Sequence, residues 1–447
     1  MIYDTIAAIS TPNGTGALSI IRVSGKDIIK IIDKILKKKN FESKKMYYGW
    51  IYDNDEKVDE VTWVYHKSPN SYTGEEMLEI FGHGGKLITY KVYKTILKNG
   101  ARPAVEGEFS KRAVLNGKMD LIKAESINDV IHANTEYALK ASFKQLSENL
   151  SKKINNIKEK LLNVAARIEV EMDYPDDFEE DNYDLEKKLI SIKEDSEKIL
   201  KNSDNGIIAV QGLKVTIVGK PNSGKSTLLN ALLKKDRAIV TDIPGTTRDT
   251  IEESLNIKGI YLKIIDTAGI RETKDIVEKI GVEKSKKSID ESDLILFVVD
   301  GTNKISKEDK EIYEYIQKKN KKRIILINKK DDVNFKEDLL NKFNKEIVLK
   351  ISAKNQNVSE LEDKIYEMYY KDLDIKDPTL ITERQKYTFE EALENINSAI
   401  KGISQEIPND IIMYDIKNSI KKIMELTGED YTEELLNKMF SNFCVGK

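Results

Sequence analysis

The residues Lys214-Val-Thr-Ile-Val218, Gly219-Lys-Pro-Asn-Ser-Gly224-Lys225-Ser226 and Thr227-Leu-Leu-Asn-Ala-Leu-Leu233 follow one another without interruption. A β-branched apolar run leads into G-x-x-x-x-G-K-S, and a run of helical character follows. That is the order of strand, loop and helix a phosphate-binding loop needs. Its glycines let backbone N–H groups wrap phosphate oxygens. Lys225 supplies positive charge toward the β and γ oxygens, and the Ser226 hydroxyl suits magnesium.

Further apolar runs alternate with helical patterns: YLKIIDTAG at 261–269, LILFVVD at 294–300, RIILINK at 323–329 and IVLKIS at 347–352. They predict a doubly wound α/β domain with a mostly parallel sheet. Asp266-Thr267-Ala268-Gly269 closes the first run, where an aspartate reaches a magnesium shell and a glycine amide a γ-phosphate. Asn328-Lys329-Lys-Asp331 and Ser352-Ala353-Lys354 close the last two. A carboxylate at Asp331 accepts from guanine N1–H and the exocyclic amine; adenine offers neither, so the expected nucleotide is GTP. Asp332 adjoins it, but the N-K-x-D register selects Asp331. Four motifs in this order resemble the translation-factor-like P-loop GTPases. Thr241 to Asp249 lies where switch I sits, and a threonine there completes a magnesium shell. Ile270 stands where Ras-like proteins carry a water-orienting glutamine, which leaves that task to another group such as Glu272 or Glu278.

The whole chain has 447 residues, enough for about three domains. Lys plus Arg number 73 against 76 Asp plus Glu, a net charge of -3, which argues against a polybasic nucleic-acid binder. Cys444 is the only cysteine, and His66, His83 and His132 are the only histidines. No disulfide framework or Cys/His zinc site can be built from these, and a reducing compartment is expected. Without a nearby histidine in sequence, Cys444 reads as a small buried thiol rather than a nucleophile. The segment MIYDTIAAIS has no basic or apolar leader character, and no apolar run approaches about 18 residues. The expectation is a cytoplasmic protein with no membrane partner.

Glycine usage divides the chain. Residues 1–117 mix frequent glycines with alternating runs such as ALSIIRV and EVTWVYH, an α+β pattern. Residues 118–212 carry no glycine before Gly206 and only Pro175, with Ile154, Ile157, Leu161, Leu162, Ala165 and Ile168 at helical spacing. The α/β domain occupies 213–371, and helical periodicity resumes over 372–447. Each helical stretch has apolar faces to bury, so the two are expected to pack together with the α/β domain inserted between them. The fold class is multidomain: an N-terminal α+β domain, a discontinuous all-α domain and an inserted Ras-like α/β P-loop domain.

TPNGTGALSIIRVSG, PNSYTGEEMLEIFGHGG, GEFSKRAVLNGKMDL, GKPNSGKSTLLN, TDIPGTTRD and the terminal FCVGK together resemble the MnmE (TrmE) family of tRNA-modifying GTPases, over essentially the whole length. The F-C-x-G-K ending separates that family from other GTPases with the same nucleotide motifs. The resemblance implies modification of the tRNA wobble uridine at C5 with the FAD-containing flavoprotein MnmG. It also implies a homodimer formed through an N-terminal domain that binds 5-formyl-tetrahydrofolate or a related folate. By the same resemblance the GTP contacts are Asn222, Ser223, Gly224, Lys225, Ser226 and Thr227, then Thr241, Asp242, Ile243, Pro244, Gly245, Thr246 and Thr247. Asp266, Thr267, Ala268, Gly269, Asn328, Lys329, Asp331, Ser352, Ala353 and Lys354 complete them. Mg2+ falls to Ser226 and Thr247; K+ falls to Asn222, Thr241, Ile243 and Thr246 in place of an arginine finger; Glu278 positions the attacking water. Arg22, Glu79, Lys118 and Lys447 correspond to the folate contacts. A competing class is a ribosome-assembly GTPase that grips rRNA, but such proteins append a basic RNA module, and this chain is net acidic and appends helices.

Overall fold

The computed structural model describes residues 4–147, 149–174, 182–235, 253–265, 286–369 and 379–446. Its contacts separate two compact units: Met1–Asn128, Ser151–Lys193 and Thr388–Lys447 form one, Asp129–Leu150 and Glu194–Tyr387 the other.

In the first unit the elements are β1 (Ile6–Ile9), β2 (Leu18–Ser24), α1 (Ile28–Leu36), β3 (Met46–Asp53), β4 (Glu56–His66), β5 (Met77–His83), α2 (Lys86–Lys98), β6 (Arg102–Pro103) and α3 (Glu108–Leu115). The strands form one sheet in the order β3-β4-β5-β2-β1-β6. Helix α1 buries Ile28, Ile31, Ile32, Ile35 and Leu36, the i, i+3, i+4, i+7 stripe of an amphipathic helix. That stripe packs with Ile21, Val23, Ile51, Trp63, Leu78 and Ile80, the alternate residues of the facing strands. A buried Arg112 on α3 is held by Asp4, Glu75 and Glu108, so the charge is neutralised where water is excluded.

The chain continues through α4 (Leu121–His132), α5 (Glu136–Leu146), α6 (Asn149–Asp173), α7 (Asn182–Leu200) and α8 (Ser203–Gln211). The α/β part comprises β7 (Leu213–Val218), α9 (Lys225–Lys235), β8 (Glu253–Ile257), β9 (Ile260–Ile265), β10 (Leu294–Asp300), α10 (Lys307–Lys318), β11 (Lys322–Asn328), β12 (Ile347–Lys350) and α11 (Ser359–Tyr369). After it come α12 (Glu383–Ser404), α13 (Asn409–Thr427) and α14 (Glu433–Phe440).

The insertion anticipated from the sequence is present. Lys158 on α6 pairs with Glu429 after α13 at 2.5 Å, and Lys417 on α13 pairs with Glu169 on α6 at 2.8 Å, so the helices before and after the α/β part pack together. On the α/β side, Thr379 Oγ1 donates to Ile199 O at 3.1 Å and Gln145 Nε2 to Gln385 Oε1 at 2.9 Å. The segments entering and leaving the insert thus meet. On α6 the buried stripe is Ile154, Ile157, Leu161, Val164, Ala165 and Ile168, whereas Leu162 is 42% exposed. Leu162 lies one residue past Leu161, about 100° round the helix and off the stripe.

The second sheet runs β12-β11-β10-β7-β9-β8. It is parallel except for β8, which pairs antiparallel with β9 at the edge. The chain leaves central β7 toward one side for β8 and β9 and returns to the other for β10. The loop after β7 therefore sits at the topological switch point.

Cys444 is exposed, contrary to the buried thiol expected from the sequence. Its neighbour Phe443 takes the interior position, its ring tilted by 55° against Phe440 with centroids 4.8 Å apart, in a cluster with Val114, Leu121 and Leu436. Phe440→Ala should remove about 3 to 5 kcal/mol of stability in urea unfolding of the whole chain. A loss under about 1 kcal/mol would show that α14 is not docked on α3 and α4.

Candidate nucleotide-binding site

The loop from Gly219 to Gly224 begins where β7 ends, and Asn222 at its tip has a left-handed φ of 62°, which asparagine tolerates better than most residues. Lys225 opens α9, and its ammonium reaches back to donate to Gly219 O at 2.8 Å and Lys220 O at 2.9 Å. Burial pushes this ammonium below the ordinary lysine pKa. A half-buried cation held by two backbone carbonyls at a helix N-terminus is chemistry suited to a polyphosphate. Ser226 is half-buried on the first turn, and Asn222 and Thr227 are exposed.

Asn328 ties this loop to the base-recognition loops. It is 2% exposed; its Nδ2 donates to Ser223 O at 2.9 Å, and its Oδ1 accepts from Ala353 N at 3.1 Å. Parallel pairing of β11 with β12 continues past the strand ends, with Ile351 N donating to Ile327 O at 3.0 Å and Lys330 N to Ile351 O at 3.0 Å. The N-K-x-D and S-A-K segments are thereby held level. Ser352 Oγ donates to Asp331 Oδ1 at 2.6 Å. That hydrogen bond, more than any other influence, holds the Asp331 carboxyl below the usual carboxylate range. An ionised acceptor is the form that matches the two guanine donors.

Two further acidic groups, both overlooked in the sequence, brace the site from the end of β10 and the first turn of α10. Asp300 Oδ2 accepts from Lys329 Nζ at 2.7 Å, and Lys220 of the phosphate loop pairs with the buried Asp309 at 3.3 Å. The available signal was the acid ending LILFVVD and the S-x-x-D capping box at Ser306–Asp309. Thr241, Asp242, Ile243, Pro244, Gly245, Thr246, Thr247, Asp266, Thr267, Ala268, Gly269, Ile270, Glu272 and Glu278 lie outside the described residues.

In the first unit a separate cluster joins three of the four sequence-selected N-terminal-domain contacts or their neighbours. Arg22 and Glu79 are direct cross-strand partners on β2 and β5, and Arg22 Nε donates to Glu79 Oε1 at 2.9 Å. Gly446 O accepts from Ser10 Oγ at 3.2 Å and, at a long 3.5 Å, from Arg22 Nη1. Gly446 has φ 91°, and a Cβ there would stand 2.8 Å from Ser10 Oγ, so the close approach requires glycine. Lys118 packs its stem over Gly74. His66 Nε2 lies 3.2 Å from Glu79 Oε2, and the Tyr72 ring centroid 5.7 Å from the Arg22 guanidinium; both were missed, because the β4–β5 register brings in the first and the loop between those strands the second. Lys447 lies outside the described residues.

The central β7 loop, the half-buried Lys225 and the paired Asn328–Asp331 and Ser352–Lys354 segments define a P-loop GTPase. The family model described as GTP-binding protein TrmE N-terminus matches residues 5–118, and that of the MnmE helical domain matches residues 121–444. A Petrotoga mobilis protein named tRNA modification GTPase MnmE is 58% identical over 452 residues, covering 100% of both chains. Its Thermotoga maritima namesake is 45% identical over 451 residues, covering 99% of this chain and 100% of its own. A solved structure of Aquifex aeolicus Era is 31% identical, covers 41% of this chain and 66% of that one, and has a TM-score of 0.29. The chain belongs to the MnmE family.

Gly224 has φ 100°, and a Cβ there would fall on Asn328 Nδ2. Gly224→Ala should therefore disturb the phosphate loop and the Asn328 bridge together and weaken GDP binding by roughly thirtyfold or more. Calorimetric titration with GDP is the check, and affinity within about threefold of the parent would contradict the geometry.

Proposed function

We propose that this chain is a potassium-dependent GTP hydrolase whose turnover supports tRNA modification. In this reading it works as a homodimer with the flavoprotein MnmG, adding a carboxymethylaminomethyl or aminomethyl group at C5 of the wobble uridine of certain tRNAs. The observation that carries the reading is the guanine-selective side of the nucleotide site: Asp331, ionised and anchored by Ser352, beside a phosphate loop that Asn328 ties to it. Family membership supports tRNA as the substrate, since the relatives are named for tRNA modification.

The donor types suit hard cations. Ser226 with Thr247 would hold Mg2+, and Asn222, exposed at the loop tip, with Thr241, Ile243 and Thr246, would hold K+. When bound, these ions supply positive charge against the phosphate oxygens. Lys225 offers its ammonium to the same oxygens, Asp331 orients the base, and Glu278 is assigned to positioning water. Cytoplasmic location is part of the proposal; among the described residues no helix is long and apolar enough to cross a membrane.

For the one-carbon donor, a formyl-tetrahydrofolate, the proposal assigns Arg22, Glu79, Lys118 and Lys447. The Gly446 carbonyl beside Ser10 and Arg22 supports this, because it brings the residue before Lys447 to the Arg22–Glu79 pair. The domain limits proposed are 1–117, 118–212, 213–371 and 372–447.

Asp331→Asn should shift preference from GTP toward xanthosine triphosphate, because an amide donates to the xanthine carbonyl but cannot accept from guanine. Competition between the two nucleotides tests this, and an unchanged preference for GTP would remove the base assignment. Asn222→Ala should abolish potassium stimulation of GTP hydrolysis while leaving GDP affinity within about threefold. Full turnover of the parent in sodium would refute the potassium requirement. Deleting Gly446 and Lys447 should weaken folate binding by roughly ten- to a hundredfold while GTP hydrolysis survives. Unaltered folate affinity in calorimetry would refute the role given to the terminus.

A further inference from the structure

Asp300 ends β10 in register with Asn328, the first residue of N-K-x-D on β11, and its buried carboxylate is heavily engaged by donors from two segments. It is 5% exposed and accepts four hydrogen bonds. Thr302 N donates at 2.9 Å, Thr302 Oγ1 at 2.7 Å, Asn303 Nδ2 at 2.9 Å and Lys329 Nζ at 2.7 Å. Burial opposes ionisation, but these donors prevail and bring its pKa down to about 2, so the charge persists at any working pH. The first three donors belong to the turn that follows β10. The fourth comes from the next strand's motif, and it is the one with consequences for the ligand.

Lys329 is the second residue of N-K-x-D and has φ 70°, a left-handed conformation that costs a lysine energy unless something fixes it. Its neighbours Asn328 and Asp331 are committed to the phosphate loop and to Ser352. Its side chain is 36% exposed, and its ammonium is anchored on Asp300 at the far end of the stem. A lysine with its ammonium pinned at one end presents that stem as a fixed apolar surface rather than a mobile chain. Such a surface suits the face of a planar purine, and prior fixation spares the ordering entropy that binding would otherwise cost.

We propose that Asp300 is a positioning residue for guanine-nucleotide binding, acting through the Lys329 ammonium to hold the Lys329 stem and left-handed backbone in the form that receives the base. This rests on the guanine reading of Asn328 to Asp331. It adds a determinant on a different strand. The effect is on binding in ground and transition states alike, so KM moves and kcat does not.

The test is a double-mutant cycle on GDP affinity with Asp300→Asn and Lys329→Met in the full chain. The amide still accepts from Thr302, so the turn is retained while the ion pair loses its charge. Each single variant should bind GDP about tenfold more weakly, and the double variant should be no weaker than Lys329→Met alone. The GTP KM of Asp300→Asn should rise about tenfold with kcat within about twofold of the parent. Unchanged GDP affinity in Asp300→Asn, or losses that simply multiply in the double variant, would overturn the proposal. Should Asp300→Asn not fold, Lys329→Arg decides, because it keeps a cation within reach of an intact Asp300. It should retain most of the affinity that Lys329→Met loses, and equal losses for Arg and Met would overturn the proposal. Failure of the underlying guanine reading looks different: Asp331→Asn would then leave nucleotide preference untouched whatever the cycle gives.

Discussion

One buried amide organises the nucleotide region. Asn328 spends its donor on Ser223 O and its acceptor on Ala353 N, so a single planar group sets the separation between the Gly219–Gly224 loop and the Ser352–Lys354 loop. Neither contact could be met by water at 2% exposure, and a lost partner would leave a buried polar atom unpaired at a cost of about 1 to 3 kcal/mol. The absent side chain at Gly224 is the necessary complement, since that is where the amide approaches. Around this bridge the parallel strands β7, β10, β11 and β12 act as a ruler, bringing three chain segments to one edge of the sheet at matching height.

The end of β10 and the first turn of α10 add a second layer of restraint. Asp300 grips Lys329 on the base side and Asp309 grips Lys220 on the phosphate side, with Ser306 and Asp309 forming the capping box that starts α10. Two buried carboxylates each face a lysine from a ligand-binding loop. Removing either partner would strand a charge, which is why such pairs fix geometry even where their net contribution to stability is small.

The α/β part was the most legible in the sequence because its central strands are buried on both faces and read as unbroken apolar runs. LILFVVD, buried at all seven positions, is the clearest case. Strand β8, ESLNI, escaped notice: an edge strand with one wet face has a weak pattern, and its antiparallel pairing follows from a tight turn at Lys258 and Gly259. The motif residues Asn222, Lys225, Asn328 and Asp331 were readable because fixed spacing after a strand marks the phosphate-loop and N-K-x-D patterns. Asp300, Asp309 and His66 were not, because ordinary acids and histidines acquire meaning only through register and tertiary contact. Leu162 and Cys444 erred for a shared reason. Composition says that a leucine or a cysteine prefers the interior, but helix phase and a bulkier neighbour, Phe443, decide which side chain receives the place.

The central claim is that GTP hydrolysis at this P-loop supports chemistry on a tRNA uridine. The most direct measurement is nucleoside mass analysis of tRNA incubated with this protein, the flavoprotein partner, a formyl-tetrahydrofolate, a nitrogen source and potassium, comparing GTP with a non-hydrolysable analogue. The account predicts a C5-substituted wobble uridine with GTP and none with the analogue. Equal modification with both, or none with GTP, would contradict it.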